Sequence, residues 1–224
     1  MTPPTALRQL APGLHVAQAP LRFMGMELGA RMTVLQLSKG LLVYSPIAMD
    51  PSALNHLGTP RWVLAPSLYH HLYVGPWAEA GWEAWAAPGL DKKRPDVPFH
   101  AVLAQDNHPF GDEIELVALT CFSLTNEVVM LHKPSRSLVV CDLVFNIPPT
   151  APWTTRAIMR AMGGYPGCKT TLLERFGMNK QAARADLRAI TALDFDRIIV
   201  AHGDIVETGG KAALLNAFKW LGKL

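Results

Sequence analysis

The sequence predicts an α/β (α+β) fold, a four-layer αββα sandwich in which two mixed sheets pack face to face and helices cover their outer faces. Two observations predict it. Short apolar runs separated by glycine and proline fill most of the first two thirds of the chain, and segments with helical spacing close each strand-rich half. Half of the 224 residues are hydrophobic, which is enough for one compact core, so we expect a single domain over residues 1–224.

The strands are predicted from apolar runs that end at turn residues. A turn at 38–40, with a glycine in its last place, joins the second and third runs as a hairpin, and "KPSR" at 133–136 joins two later runs in the same way. Eight strands are predicted, at residues 14–18, 32–37, 41–45, 61–66, 113–119, 127–132, 137–142 and 197–203.

Helices are predicted in three places. Residues 77–85 carry three tryptophans at helical spacing, which predicts a helix with an apolar face. The proline-rich segment 146–153 fits neither a central strand nor a helix interior, and we expect it to begin a helical, lid-like insertion around 147–193. Within this insertion, residues 147–168 are expected to form a separate excursion over a pocket. An amphipathic helix at 208–224 closes the chain.

Composition and charge exclude several classes of partner. The formal net charge is +3, and the basic residues are scattered except for a short cluster at 91–94, so we expect no nucleic-acid partner. No run of about 18 apolar residues occurs and the first residues do not resemble a secretion signal, so we expect no membrane partner. Cys121, Cys141 and Cys168 lie far apart and form no CxxC pair, which favours a reducing, cytoplasmic location.

Three predicted strands end in residues that can bind a metal. The strand at 61–66 leads to His70 and His71, the next of the three ends at Asp142, and the last ends at His202. A carboxylate after a run of valines needs a partner if it is buried, and a divalent cation bound by imidazoles and a carboxylate meets that need. The alternatives are a surface loop for the two adjacent histidines, a turn or helix-cap role for Asp142, and a core histidine bonded to main chain for His202.

These residues carry a resemblance to a known family. The order of "PSLYHH" (66–71), "CDLVFN" (141–146) and "FDRIIVAHG" (195–203) resembles the metallo-β-lactamase superfamily. Together with "RMTV" (31–34) and "YSPI" (44–47), it is more similar to one uncharacterised branch of that superfamily, a domain of unknown function. The resemblance covers nearly the whole chain. It implies the same αββα sandwich and a metal centre at the strand ends.

The sequence also departs from the superfamily pattern. The resemblance implies that Pro66 and Leu68 stand where two histidines of a first metal site belong, and Ser123 where a third belongs. The first site would then be lost, and the second would survive with His70, His71, Asp142 and His202 as metal ligands. This set implies one divalent metal, zinc rather than iron, or no metal at all. Glu127 is expected on a strand surface, or at most as an outer partner of the site.

Two functions remain open at this stage. The first is a metallo-hydrolase that uses one metal to hydrolyse an ester, thioester, lactone or amide bond of a small-molecule substrate. The second is a non-catalytic descendant of the fold that binds a small molecule or a partner and has no functional metal. The missing histidines favour the second function, and the retained aspartate and histidines favour the first.

Overall fold

The computed structural model describes residues 6–104 and 108–223. Its strands, in chain order, are β1 Arg8–Ala11, β2 Leu14–Ala19, β3 Arg22–Phe23, β4 Met26–Glu27, β5 Ala30–Leu37, β6 Gly40–Tyr44, β7 Pro60–Ala65, β8 Glu83–Ala86, β9 Ala101–Val102, β10 Ile114–Ala118, β11 Val128–His132, β12 Ser137–Val140 and β13 Arg197–Val200. Its α-helices are α1 Val74–Glu79, α2 Leu90–Lys93, α3 Trp153–Ala161, α4 Leu172–Gly177, α5 Lys180–Ala192 and α6 Gly210–Ala217. Two short 3₁₀ helices cover Pro51–Leu54 and Lys219–Leu221.

Two mixed sheets form the centre of the fold. The larger has the order β1-β2-β5-β6-β7-β8-β9 and the smaller the order β10-β11-β12-β13, while β3 and β4 form a separate hairpin. Strands β6 to β9 run parallel in the first sheet, and β12 and β13 run parallel in the second. In both sheets, the candidate metal-binding residues lie in the loops that follow these parallel strands.

The inner faces of the two sheets share one apolar core. From the larger sheet it takes Leu35, Leu42, Tyr44, Trp62 and Leu64, and from the smaller sheet Leu116, Val128, Met130, Val139 and Ile199. The outer face of the larger sheet packs with Val74, Trp77 and Leu90 of α1 and α2, and the outer face of the smaller sheet packs with Leu187, Ile190 and Leu214 of α5 and α6. The layers are therefore helix, sheet, sheet, helix, and the predicted αββα sandwich is confirmed.

The eight predicted strands are all present, but the helix predicted at 77–85 is wrong. The chain leaves α1 at Glu79, turns at Gly81 with a φ of +90°, and continues as strand β8 beside β7. Trp77 and Trp82 still contact each other edge to face, at 5.0 Å between ring centroids, on opposite sides of this turn. The tryptophan spacing therefore reflects packing across a turn rather than one helical face.

The helical segment at 147–193 is not one unit. Helix α5 packs its apolar face on the smaller sheet as part of the sandwich. Helix α3 packs Met159 against Met26 and Leu28 of the β3–β4 hairpin region, so 147–168 lie beside that hairpin. Helix α4 is the part of the segment whose side chains border the cavity that also has His70, Asp142 and His202 in its wall, called here the main cavity. No side chain of 147–168 borders this cavity, which corrects the excursion over a pocket expected for that stretch, and a lid role for the insertion at 147–193 stays a prediction.

None of the described helices is long and apolar enough to cross a bilayer. The cysteines Cys121, Cys141 and Cys168 are all unpaired.

A buried carboxylate fastens α5 to the loop that follows β10. Asp186 accepts hydrogen bonds from the main-chain N–H groups of Thr120 and Cys121, both at 2.8 Å, and from the Thr120 hydroxyl at 3.0 Å. The same loop continues through Phe122, Leu124 and Thr125, which border the main cavity. Asp186 therefore fixes one wall of that cavity from outside.

We expect Asp186→Ala to lower the free energy of unfolding by about 2 kcal/mol, because it leaves buried N–H groups without acceptors. Urea unfolding monitored by circular dichroism measures the change. Asp91→Ala is the matched control, because Asp91 is exposed on α2, and it should change stability by less than about 0.5 kcal/mol. Equal effects of the two substitutions would contradict this role of Asp186.

Candidate metal centre

Three of the four expected metal ligands meet at the ends of their strands. His70 lies in the loop after β7, Asp142 two residues after β12, and His202 two residues after β13. One ligand atom from each lies within 4.8 Å of the others, and Nε2 of each histidine is 3.5 Å from Oδ1 of Asp142. Their side chains are 9%, 15% and 5% exposed, respectively. Such a compact, mostly buried group can surround a single ion.

Local hydrogen bonds explain how two of the loops place these residues. The Ser67 hydroxyl accepts hydrogen bonds from the main-chain N–H groups of Tyr69 and His70, which folds the loop after β7 into a tight turn. On the other sheet, Asn146 pairs with Gly203, which draws the segments after β12 and β13 together. A Cβ atom on Gly203 would lie 2.1 Å from the Asn146 carbonyl oxygen, so only glycine allows this pairing.

The other ring nitrogen of each of the two histidines contacts an oxygen. Nδ1 of His202 lies 2.6 Å from the Gly29 carbonyl oxygen, which can only accept, so Nδ1 carries the hydrogen. Nδ1 of His70 lies 2.8 Å from the Ser45 hydroxyl. In a neutral His202 ring held this way, Nε2 has a free lone pair, whereas the Ser45 hydroxyl can either donate to or accept from Nδ1 of His70. Both Nε2 atoms face Asp142. Histidines that bind metals are commonly oriented by outer partners of this kind.

The charge at Asp142 depends on its two histidine neighbours. Burial alone would raise the pKa of the Asp142 carboxyl, but the opposing effects of His70 and His202 outweigh burial and hold that pKa well below its usual range. Asp142 is therefore a carboxylate at neutral pH. Two imidazole nitrogens and one carboxylate oxygen suit a zinc ion with an open position, and they also suit iron. The residues present thus fit one divalent metal ion.

Glu127 holds the main chain at Asp142 through hydrogen bonds, although the sequence favoured a surface position for Glu127. Its side chain is 1% exposed, and its carboxyl oxygens accept hydrogen bonds from the main-chain N–H groups of Cys141 at 2.6 Å and Asp142 at 2.9 Å. Burial, followed by the nearby Asp142 charge, raises the pKa of Glu127 to about 8. The sequence feature that could have indicated this burial is the strand that follows Glu127, because β11 is buried on both faces and leaves no solvent side for a glutamate.

His71 is the one expected ligand that does not join the group. Its ring is buried at the border of the same cavity, and its Nδ1 lies 3.0 Å from a guanidinium nitrogen of Arg94. Burial, then the charges of Lys93 and Arg94, lower the pKa of His71. The sequence predicts that His71 meets Asp142 and His202, with His70 beside them as a fourth ligand, whereas the structure brings His70, and not His71, to Asp142 and His202. Metal binding by the set stays a prediction.

The positions that depart from the superfamily pattern offer no substitute ligands. Pro66 is buried and its carbonyl oxygen accepts a hydrogen bond from the Val128 N–H, while the Leu68 N–H donates to the Thr125 carbonyl oxygen. Ser123 is exposed in the loop after β10. The side chains of Pro66 and Leu68 are aliphatic and cannot bind a metal. Among the described residues, the only group of His, Cys, Asp or Glu side chains with metal-binding geometry is His70, Asp142 and His202.

The three residues lie in the wall of a cavity of about 420 Å³ between the ends of the two sheets. Most of its lining is apolar and includes Leu28, Ile47, Phe122 and Phe145. The ring of Phe145 stacks on that of His202, with 10° between the planes and 5.7 Å between the centroids. A small molecule could therefore lie against apolar side chains with one polar group at the candidate metal centre.

The chain also matches a known family. Residues 21–163, more than half of the chain, match the family described as "Domain of unknown function (DUF4336)". The chain belongs to this family. The resemblance to an uncharacterised branch is thereby confirmed, and no curated protein sequence matches the chain.

Solved structures show that the DUF4336 chain has the metallo-β-lactamase fold. A metallo-β-lactamase from Erythrobacter litoralis matches with a TM-score of 0.71 and 13% identity, covering 97% of this chain and 96% of that one. The metallo-β-lactamase FIM-1 from Pseudomonas aeruginosa, in its mono-zinc form, matches with a TM-score of 0.68 and 13% identity over 99% and 98% of the two chains. One from Hirschia baltica matches with a TM-score of 0.67 and 10% identity over 98% and 99%.

We expect Glu127→Ala to remove the hydrogen bonds that hold the main chain at Asp142. The substitution leaves two buried N–H groups without acceptors, so the free energy of unfolding of the metal-free protein should fall by about 1–3 kcal/mol. Zinc affinity, measured by competition with a chelator, should fall about 10–100-fold, the range found for outer partners of metal ligands.

Glu115→Ala is the control for this change. Glu115 also lies in the smaller sheet, but its carboxylate is exposed and contacts only Lys133, at 3.2 Å, among the ion pairs of the described chain. It should alter stability by less than about 1 kcal/mol and leave zinc affinity unchanged. If Glu127→Ala behaves like this control, the carboxylate does not hold the Asp142 segment.

Proposed function

We propose that this protein is a metal-dependent hydrolase that cleaves an ester, thioester, lactone or amide bond of a small molecule. The observation that carries the proposal is the group of His70, Asp142 and His202, whose ligand atoms lie within 4.8 Å of one another in the wall of an apolar cavity. The solved structures of the same fold are named as metallo-β-lactamases, one of them in a mono-zinc form, which supports a hydrolytic role with one metal.

The electrostatics of the group support a bound cation. Two Nε2 atoms lie 3.5 Å from one carboxylate oxygen, and Nδ1 of His202 donates to the Gly29 carbonyl oxygen, which leaves Nε2 of His202 as its metal-binding atom. Two imidazole nitrogens and a carboxylate grouped this closely suit a divalent cation. We propose one divalent ion per chain, zinc rather than iron, because His70, His202 and Asp142 form a three-ligand set that leaves a position open.

Different residues of the chain would have separate roles in the hydrolysis. A bound zinc ion supplies the ability to polarise a carbonyl and to lower the pKa of a water molecule to about 7. Asp142 and the two histidines fix its place, and Glu127 fixes the main chain of Asp142. The apolar lining, with Phe122 and Phe145, keeps other water away from the reacting groups.

The competing function is a binding protein with no functional metal. One observation favours it, namely that the aliphatic Pro66 and Leu68 stand where the superfamily pattern has histidines. The two functions differ in what the purified protein contains and does. The deciding experiment is elemental analysis after incubation with zinc or iron, combined with hydrolysis assays on nitrophenyl esters, thioesters, lactones and amides.

We expect at most one zinc or iron ion per chain. His70→Ala and His202→Ala should each lower metal affinity by at least about 100-fold, more than the loss of an outer partner would cause. Both variants should also lose any hydrolytic activity that the native protein shows. Inductively coupled plasma mass spectrometry measures the metal content, and chelator competition measures the affinity.

His56→Ala is the matched control, since His56 is exposed and does not border the cavity. It should retain the native metal content. Two tightly bound metals per native chain would contradict the single site, and no bound metal at neutral pH would favour the binding protein.

A further inference from the structure

The two adjacent histidines are held by different partners. Nδ1 of His70 faces a hydroxyl, whereas Nδ1 of His71 faces the guanidinium group of Arg94 at 3.0 Å. A guanidinium group has five N–H donors and no acceptor, so Nδ1 of His71 must be the acceptor in this contact. Arg94 is itself fixed, because it also donates to the His71 carbonyl oxygen and makes three hydrogen bonds to Asp96.

The Arg94 contact decides where the hydrogen of His71 lies. With Nδ1 accepting, a neutral His71 ring carries its hydrogen on Nε2 and has no lone pair there for a metal. His202 is the reverse, because its Nδ1 donates to the Gly29 carbonyl oxygen. His71 borders the same cavity as His70, Asp142 and His202. It is therefore placed as a hydrogen-bond donor to a molecule in that cavity, next to the candidate ligands.

The border of the same cavity also includes a set of exposed apolar side chains, called here the apolar ring. The ring consists of Phe23, Tyr69, Leu72, Leu124 and Leu173, which come from β3, the loop after β7, the loop after β10, and α4. Each of them is between 51% and 61% exposed although it borders a cavity. Apolar side chains from four separate segments that share one rim and remain in water indicate a surface that a ligand covers.

The charged groups near this ring already have protein partners. The Lys93 ammonium donates to the Leu68 carbonyl oxygen and lies 5.0 Å from the centroid of the Tyr69 ring. The Glu174 carboxylate accepts the N–H of Thr171 in the capping box that begins α4. Apart from Asp142, these are the only Asp, Glu, Lys or Arg side chains in the described lining of the cavity. The ring therefore favours an uncharged chain over an ionic one.

We infer that the substrate is an acyl compound with an uncharged apolar chain, whose carbonyl oxygen accepts a hydrogen bond from Nε2–H of His71 and whose chain covers the apolar ring. The inference rests on the proposed function and adds the substrate class to it. In the hydrolysis, a water oxygen bonds to the acyl carbon and the bond from that carbon to the leaving oxygen, sulfur or nitrogen breaks. One water proton goes to the leaving group, and the other is released when the product acid ionises.

The chain preference is tested with p-nitrophenyl esters from acetate to decanoate on the zinc-loaded protein. We expect kcat/KM to rise at least about tenfold from acetate to the best longer ester, because each added methylene buries more apolar surface. Leu124→Ser and Leu173→Ser should each reduce this ratio, mainly through KM. Leu215→Ser is the control, since Leu215 is an exposed leucine of α6 that does not border the cavity, and it should leave the ratio unchanged.

The role of His71 is tested with two substitutions. His71→Ala should lower kcat/KM by about 100-fold, as removal of a donor to a developing oxyanion does, while the zinc content stays native. His71→Gln keeps an N–H donor at a similar reach and should recover activity to within about tenfold of native. Loss of zinc in either variant would make His71 a ligand and overturn the inference.

Two measurements do not depend on hydrolysis. In ¹⁵N NMR of histidine-labelled protein, the His71 signals should show hydrogen on Nε2 and not on Nδ1, and Arg94→Ala should abolish that preference. The methyl ketones 2-pentanone and 2-nonanone, which cannot be hydrolysed, should shift the Nε2 signal, with 2-nonanone binding more tightly. Hydrogen on Nδ1 in the native protein, or equal binding of the two ketones, would overturn the inference.

These results separate the inference from the proposed function. A protein that hydrolyses none of the esters but binds 2-nonanone through His71 would retain the recognition and lose the catalytic proposal. A protein that hydrolyses acetate and decanoate esters equally well, with His71→Ala as active as native, would retain the catalytic proposal and lose the recognition.

Discussion

The carboxylate of Asp142 is the constraint on which the arrangement of this site depends. It lies at the end of the smaller sheet with little access to water, and a carboxylate in such a place must be compensated. His70 approaches from the larger sheet and His202 from the neighbouring strand of its own sheet, each with Nε2 at 3.5 Å. Behind it, Glu127 holds the main chain on which the carboxylate stands. Residues from both sheets therefore surround the Asp142 carboxylate, and each sheet contributes one histidine that stabilises its charge.

A second buried ion joins the sheets close to this charge. Arg31 of β5 in the larger sheet donates to the main-chain carbonyl oxygens of Val200 and Gly203, which flank His202. Burial lowers the pKa of Arg31 to about 10, so the guanidinium stays charged at neutral pH. It fixes the end of β13 relative to the larger sheet, while the Gly29 carbonyl oxygen fixes the His202 ring. The position and the rotation of His202 are thus set from the opposite sheet.

The fold could be predicted from the sequence because the apolar runs are unambiguous. Eight predicted strands are present, and the runs of valine and leucine in β6, β11 and β12 are buried on both faces as such runs require. The tryptophans near residue 80 misled the helix prediction, because Gly81 at positive φ reverses the chain and sends Trp85 into β8. A spacing that fits one helix also fits a helix, a turn and a strand that pack together.

The site could be predicted only in part. Strand ends located His70, Asp142 and His202, because the sheet determines where a strand stops. The difference between His70 and His71 lies in contacts with Ser45 and Arg94, residues 25 and 23 positions away along the chain, and no local pattern encodes it. The burial of Glu127 could not be predicted for a similar reason, since its partners are the main-chain N–H groups of residues 14 and 15 positions later.

The long separation of the three metal-site residues along the chain has a consequence for folding. Residues 70, 142 and 202 come together only after β7, β12 and β13 are in place and the two sheets have docked, so the unfolded chain has no equivalent site. An ion that binds there would bind the native state alone, and a concentration 100 times its dissociation constant would add about 2.7 kcal/mol to the free energy of unfolding. The metal concentration in the surroundings would then determine how strongly the two halves of the sandwich are held together, and the fraction of folded chains would rise with that concentration.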